Sequence, residues 1–307
     1  MAIRKLAELF ELLKDKELKT MIVVCANDQH TITAVGQAVD QHLVNAVLIG
    51  DESIIMSVCR ESGVDVDLFT IINQPVDELA ARLAVEMIKC GEADILMKGL
   101  ISTDKFMRAV LNKENGLTHQ GKVVSHVTII ENENYHKLLI VGDVAVIPLP
   151  DLKQKIQIIK YLVEVANRLE IPLPKIAVIA PSEQVLPSIL SSAEAALLSK
   201  MNERGQITGC IVDGPLSLDV AIDNEAAVIK GLKSPVAGDA DCLLFPNIES
   251  GNVFYKVNTK LAHSGLAAIM VGAKVPVVLS SRGDSVKVKL LSIAFAALMA
   301  QTKVKKE

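Results

Sequence analysis

Short runs of β-branched and aliphatic residues recur along this chain with amphipathic segments between them, and that alternation points to an α/β fold. In the first part the runs are MIVVCA (21–26), NAVLIG (45–50), LFTII (68–72) and DILMKG (94–99). The segments between them suit helices over Thr31 to His42, Glu52 to Ser62 and Val76 to Cys90, the last starting after Pro75 and stopping at Gly91. Parallel strands with crossover helices are the expected result. The texture changes at 122–147, where KVVSHVTIIE, KLLIVGD and VAVIPL are too close-set for helices and predict adjacent antiparallel strands.

Beyond Pro148 and Pro150 the alternation resumes with a helix at 151–169, KIAVIA (175–180), a helix near 187–203, TGCIVDG (208–214), a helix near 219–232, CLLF (242–245) and VPVVLS (275–280). A last helix is predicted from Asp284 to Gln301. A chain of 307 residues suits two domains. The proline pair marks a boundary between 1–147 and 148–283, and the last helix, within 284–307, suits either half on its own pattern.

Composition narrows the function. Hydrophobic residues make up 50% but aromatic ones only 3%, so the core must come from Val, Ile, Leu, Ala and Met. With 32 Lys+Arg against 36 Asp+Glu, and neither a basic stripe nor stacking aromatics, nucleic acid is not the expected partner. No stretch approaches the ~20 apolar residues of a membrane span. The first residues alternate charge and Leu instead of forming a signal peptide, so the cytoplasm is the expected location. Cys25, Cys59, Cys90, Cys210 and Cys242 are widely spaced, with no paired motif for zinc or redox work.

Ligands of open α/β sheets bind beyond the carboxyl ends of strands, so the loops that follow strands are where chemistry is expected. Three stand out. After DILMKG, Lys98 and Gly99 precede Ser102, Thr103 and Asp104, which open a helix running through Arg108. Free amides with a lysine and two hydroxyls suit an anion, although Ser102 or Thr103 as a plain helix cap reads equally well. After CLLF, Pro246 and Asn247 lead to Ser250, Gly251 and Asn252 at a helix start, with Lys256 about one turn in. An ordinary loop has this composition, and so does a phosphate site. After VPVVLS come Ser281, Arg282 and Gly283, then Asp284 or Ser285 opening a helix. Arg282 offers a planar fork of donors, Ser281 a hydroxyl and Gly283 close backbone approach, although a capped helix with a solvent-facing Arg has the same residues. Together the three loops point to a phosphate-bearing ligand. Ser125, His126 and Asp143 fall on strands, where His126 is either a satisfied structural residue or part of the site.

These segments resemble the phosphate acetyl/butyryltransferase family over nearly the whole chain. GPLSLDVAI (214–222), SPVAGDADCLLFPNIESGNVFYK (234–256) and PVVLSSRG (276–283) resemble its second-domain signature, and MKGLISTDKFMRAVL (97–111) its first-domain loop and helix. SHVTIIE (125–131) and SRGDSVKVKLLSIAFAAL (281–298) look more like the butyryl branch than the acetyl one. The resemblance implies two α/β domains with mostly parallel sheets flanking a cleft, an isocitrate/isopropylmalate dehydrogenase-like arrangement with the C-terminal helix returning to the first domain. It implies reversible acyl transfer, acyl-CoA + phosphate = acyl phosphate + CoA, by a homodimer or higher homo-oligomer without bound metal or redox cofactor.

By resemblance, Ser281 and Arg282 take the positions of the family's active-site Ser and phosphate-binding Arg. Arg108 lies where acetyl enzymes place an Arg credited with coenzyme A or phosphate contact. One departure concerns the base. Seven residues after the Ser, acetyl enzymes carry an Asp proposed to deprotonate the coenzyme A thiol, and this chain has Val288. Asp284, Asp143 and His126 are the substitutes to consider, or no dedicated base is needed. Two rival readings remain: a metal- and NAD-dependent dehydrogenase with Asp239 and Asp241 as ligands, which no GxGxxG fingerprint supports, and a non-catalytic sensor.

Overall fold

The computed structural model describes residues 2–118, 121–279, 281 and 283–301. In chain order they form α1 (Glu8–Leu13), β1 (Lys19–Val24), α2 (Gln29–Asp40), β2 (Val44–Gly50), α3 (Glu52–Ser62), β3 (Phe69–Asn73), α4 (Asp77–Cys90), β4 (Ile95–Lys98) and α5 (Thr103–Val110). Then come β5 (Ser125–Glu131), β6 (Leu139–Gly142), α6 (Leu152–Arg168), β7 (Lys175–Ile179), α7 (Leu190–Glu203), β8 (Ile211–Leu216), α8 (Leu218–Ile222), α9 (Asn224–Ile229), β9 (Cys242–Leu244) and α10 (Ile248–Lys260). The order closes with β10 (Gly265–Val271), β11 (Val277–Val278) and α11 (Val286–Ala300). Two compact units result: an N-terminal unit of Ala7–Val124 with the segment from Ala267 onward, and a middle unit of Ser125–Leu266 with the segment ending at Leu6.

In the N-terminal unit the strands run in the order β3-β2-β1-β4-β11-β10. All neighbours are parallel except β10 and β11. Met21 to Val24 of β1 are fully buried, as a central strand covered on both faces requires. Asp28 caps α2 by accepting from Thr31 N, and α3 and α4 stop at left-handed glycines, Gly63 and Gly91. α11 packs against α2 and α1. Phe106 and Phe295 are fully buried, each contributing about 1.5–3 kcal/mol of apolar burial.

The middle unit orders its strands β5-β6-β9-β7-β8. β5 and β6 are antiparallel, with Ile129 opposite Ile140, and β6, β9, β7 and β8 run parallel. Asp151 and Gln154 form a capping box at the start of α6. The leading segment is tied here by Ile3 N donating to Leu169 O and Leu6 N to Glu131 Oε2.

The α/β class and its mostly parallel pairing match the sequence reading, and so does the last helix packing in the unit that holds the first strands. The boundaries do not. The chain changes unit at 124/125 and 266/267, not at 147/148 and 283/284. Strand partners decide this: β6 bonds to β9 and β9 to β7, so 125–147 joins the strands that come after it in the chain, while β11 bonds to β4 and draws its segment back. VAVIPL forms no strand, because Asp143 Oδ1 accepts from Ala145 N and Val146 N and turns the chain. The helix expected at 219–232 breaks at Asp223, which is extended and caps α9. β10 has no counterpart in the sequence reading; its GLAAIMV run is uniformly apolar after Gly265 and carries no period.

Candidate active site

In the N-terminal unit β1, β4 and β11 are neighbours, so their carboxyl ends bring three exits to one sheet edge. Lys98 ends β4 with only 3% of its surface exposed, and its ammonium donates to Gly99 O at 3.0 Å and Ile101 O at 3.1 Å. The cation thus pins its own loop. Gly99 is required by space: a Cβ there would lie 2.2 Å from Cys25 O at the β1 exit. Ser102 accepts from Lys105 N at 3.3 Å and caps α5, whose first residue is Thr103. Arg108 pairs with Asp104 at 2.7 Å on the exposed face of α5. It lines a groove of about 600 Å³ with Glu78, Arg82, Lys105 and Asn112. Cys25 donates to Asp77 Oδ1 at 3.5 Å, and burial together with that carboxylate pushes its thiol up to about 12, which leaves it un-ionised at neutral pH.

The β11 exit is a small closed turn. Ser281 N donates to Asp284 Oδ2 at 2.7 Å, and Asp284 N returns to Ser281 O at 3.1 Å. Gly283 N lies 3.4 Å from Ser281 Oγ, and space around Gly283 is open. Ser285 then caps α11 by accepting from Val288 N. Arg282 lies outside the described residues. Lys289, to which nothing in the sequence reading pointed, donates to Ser281 O at 3.3 Å from inside the unit. Burial pulls its pKa below the ordinary lysine value, against the opposing pull of Asp28 and Asp284.

In the middle unit the β6 exit centres on Asp143, which is 3% exposed. Its carboxylate accepts from Ser125 Oγ at 2.9 Å and His126 N at 3.2 Å, and from Ala145 N and Val146 N at 2.8 and 2.9 Å. Four donors on two oxygens leave it a structural anchor. His126 is buried, with Nδ1 3.3 Å from Thr128 Oγ1 and its ring edge-on to Tyr255. The start of α10 is bolted to the same turn. Ser250 bonds the Asn247 cap, Asn252 donates to Val144 O at 3.0 Å, and a Cβ on Gly251 would lie 2.5 Å from Asp143 O. Lys256, exposed on α10, stands 5.2 Å from the Tyr255 ring centre. At the β7 and β8 exits a second cluster joins Glu183, Ser217, Asp219 and Lys230, of which Ser217 and Asp219 fall in the GPLSLDVAI run and the other two in no motif.

A family model described as phosphate acetyl/butaryl transferase matches residues 73–297. The chain belongs to this family. It is 46% identical over 301 residues to the phosphate butyryltransferase of Clostridium acetobutylicum, covering 98% of this chain and 100% of that one. It is 43% identical to the phosphate acetyltransferase of Thermotoga maritima, covering 96% and 99%. A branched-chain phosphotransacylase crystal structure from Enterococcus faecalis V583 aligns with a TM-score of 0.81 at 29% identity, over 92% of this chain and 99% of that one. The chain is accordingly an acyltransferase.

The dehydrogenase reading fails on donor chemistry. Asp239 pairs with Lys137, Lys175 and His136, and Asp241 with Lys137. Burial disfavours charge on Asp239, but those cations outweigh it and hold its carboxyl well below the usual range. Both residues precede β9, at the amino end of a parallel strand, away from the edge where ligands bind. The cluster is a scaffold. Lys289 carries a faint signal in the chain: it stands beside Val288, in a helix whose residues from Leu290 to Ala300 are apolar except for Ser292.

Proposed function

We propose that this transferase moves a butyryl or branched short acyl group reversibly between coenzyme A and inorganic phosphate. The near-full-length likeness to a phosphate butyryltransferase carries the reading, and the likeness to the branched-chain phosphotransacylase supports acceptance of a branched acyl group. Acetyl transfer is the second reading, favoured by the similar likeness to a phosphate acetyltransferase.

Read toward the thioester, the coenzyme A thiolate attacks the acyl phosphate carbonyl, the C–S bond forms and the C–O bond to phosphate breaks. Ser281 donates a hydrogen bond to the oxyanion, and Arg282 neutralises the phosphate as it leaves. An exposed turn at a strand exit supports this role for Ser281. Gly283 leaves open space beside it. Arg108 and Lys256 are exposed cations suited to the phosphates of coenzyme A. The Arg108–Asp104 pair, being solvated, holds the guanidinium only weakly. Lys98, Ser102, Thr103, Ser250, Gly251 and Asn252 act by shaping the backbone at the strand exits that a phosphate group approaches.

Asp143 is spent on four donors and His126 is buried, which leaves Asp284, half-exposed in the turn beside Ser281, as the candidate base, or ionisation of the thiol without a dedicated one. A free thiol of pKa about 8.5 is already a few per cent thiolate at neutral pH. The enzyme works in the cytoplasm as a homodimer or larger homo-oligomer, and its five free thiols suit a reducing compartment. The test mixes the protein and free coenzyme A with butyryl, isobutyryl or acetyl phosphate and tracks thioester absorbance. Fastest formation with the four-carbon donors is expected. An acetyl preference selects the second reading, and no thioester from any donor leaves only the sensor.

A further inference from the structure

Ten consecutive residues of α11, Lys289 to Leu298, are buried, and the first of them is a lysine. An apolar residue there would pack without the cost of desolvating an ammonium. Lys287, two residues earlier, is exposed and escapes that cost. The buried amine is therefore placed for a purpose, and its surroundings indicate which. Its Nζ donates to Ser281 O at 3.3 Å, while the carboxylates of Asp28 at the start of α2 and Asp284 in the turn favour its charged form.

The turn itself is closed by bonds between its own residues, Ser281 N to Asp284 Oδ2 and Asp284 N to Ser281 O. Such bonds set the shape of a turn but not its place in the molecule. Ser281 is exposed, and among the described residues Lys289 is the buried group from outside the turn that bonds it. Lys289 joins the turn to the buried body of α11, and it does so at the backbone of the residue whose hydroxyl meets the oxyanion. Resting on the acyl-transfer reading above, we infer that Lys289 is a positioning residue, its ammonium fixing Ser281 so that the hydroxyl is already in place when charge develops on the acyl carbonyl. A cation in this position is opposite in sign to the carboxylate that acetyl enzymes carry one residue earlier, at Val288. Preorganisation of this kind acts on turnover, because a donor displaced by about 1 Å costs on the order of a hundredfold in rate.

The experiment compares wild-type protein, Lys289→Met and Lys289→Arg by thioester-forming kinetics and by thermal unfolding. Lys289→Met is nearly isosteric, so Tm is expected to hold or rise while kcat falls about ten- to a hundredfold. KM for coenzyme A is expected to stay unchanged. Lys289→Arg, which keeps charge and donors, is expected to recover part of kcat. A Met variant with lowered Tm and wild-type kcat per folded molecule shows a purely structural lysine and overturns the inference. An Arg variant no better than Met overturns it as well. If the Met variant does not fold, Lys289→Gln takes its place: a lowered kcat with Tm held supports the role, and wild-type kcat per folded molecule refutes it. Wild-type protein that makes no thioester instead removes the reaction itself, and the role of Lys289 with it.

Discussion

Asp143 and Asp284 both come after a strand that ends at the carboxyl edge of its sheet, and each lies close to the start of a helix, yet the two carboxylates are used in opposite ways. Asp143 is buried and accepts four donors, and α10 leans on its backbone so closely that Gly251 has no room for a side chain. Asp284 is half-exposed and accepts the amide of Ser281 in a turn whose neighbours are open to solvent. A carboxylate saturated with donors is a structural part. One that closes a solvent-facing turn leaves the adjacent hydroxyl available for chemistry. The contrast separates a rigid scaffold in the middle unit from the solvent-facing turn of the N-terminal one, to which the proposed mechanism assigns the oxyanion donor.

The sharpest way to break the contrast is Asp143→Ala. It strands Ser125 Oγ and the amides of His126, Ala145 and Val146, and a loss on the order of 3 kcal/mol or more in urea unfolding is expected. A loss under about 1 kcal/mol, the worth of a single ordinary hydrogen bond, would mean that the β6 exit is not the anchor described. Ser281→Ala is the converse, with Tm unchanged and kcat for thioester formation lowered about a hundredfold. Wild-type turnover would remove Ser281 from the mechanism.

A smaller effect tests whether the amino edge of the middle unit is purely structural. The Asp239 carboxyl is depressed by its lysines, so it contributes stability that is present above the unfolded carboxylate value of about 3.9 and is lost as pH falls below it. Asp239→Asn should therefore be less stable than wild type near pH 7, with the gap closing under acid, and thioester turnover per folded molecule should be unaffected. A gap that widens under acid would contradict the pairing.

Much of this is legible in the chain. The α3 helix is bounded correctly at both ends because Asp51 caps it and Gly63 takes the left-handed conformation, signals that lie within a few residues of one another. The β5 and β6 pair is expected from spacing alone. Ser281 is marked by its place after an apolar run. The unit boundaries are not legible, since the pairing of β6 with β9 joins residues about a hundred positions apart and no local pattern reports it. Nor is the divided use of the polar residues at the strand exits, where Ser102 is a cap and Lys98 a loop pin.

The sequence by itself determined the α/β class, the family and the strand exits at which the chemistry is proposed, because periodicity, caps and contiguous motifs are short-range properties of a chain. Tertiary structure decided which of two similar residues does what. Lys287 and Lys289 differ by two positions in an alternating stretch, and only the packing of α11 on α1 and α2 puts one in solvent and the other against Ser281. Burial and donor count arise from contacts between distant segments, and they set whether a charged group is spent on the scaffold or kept for the reaction.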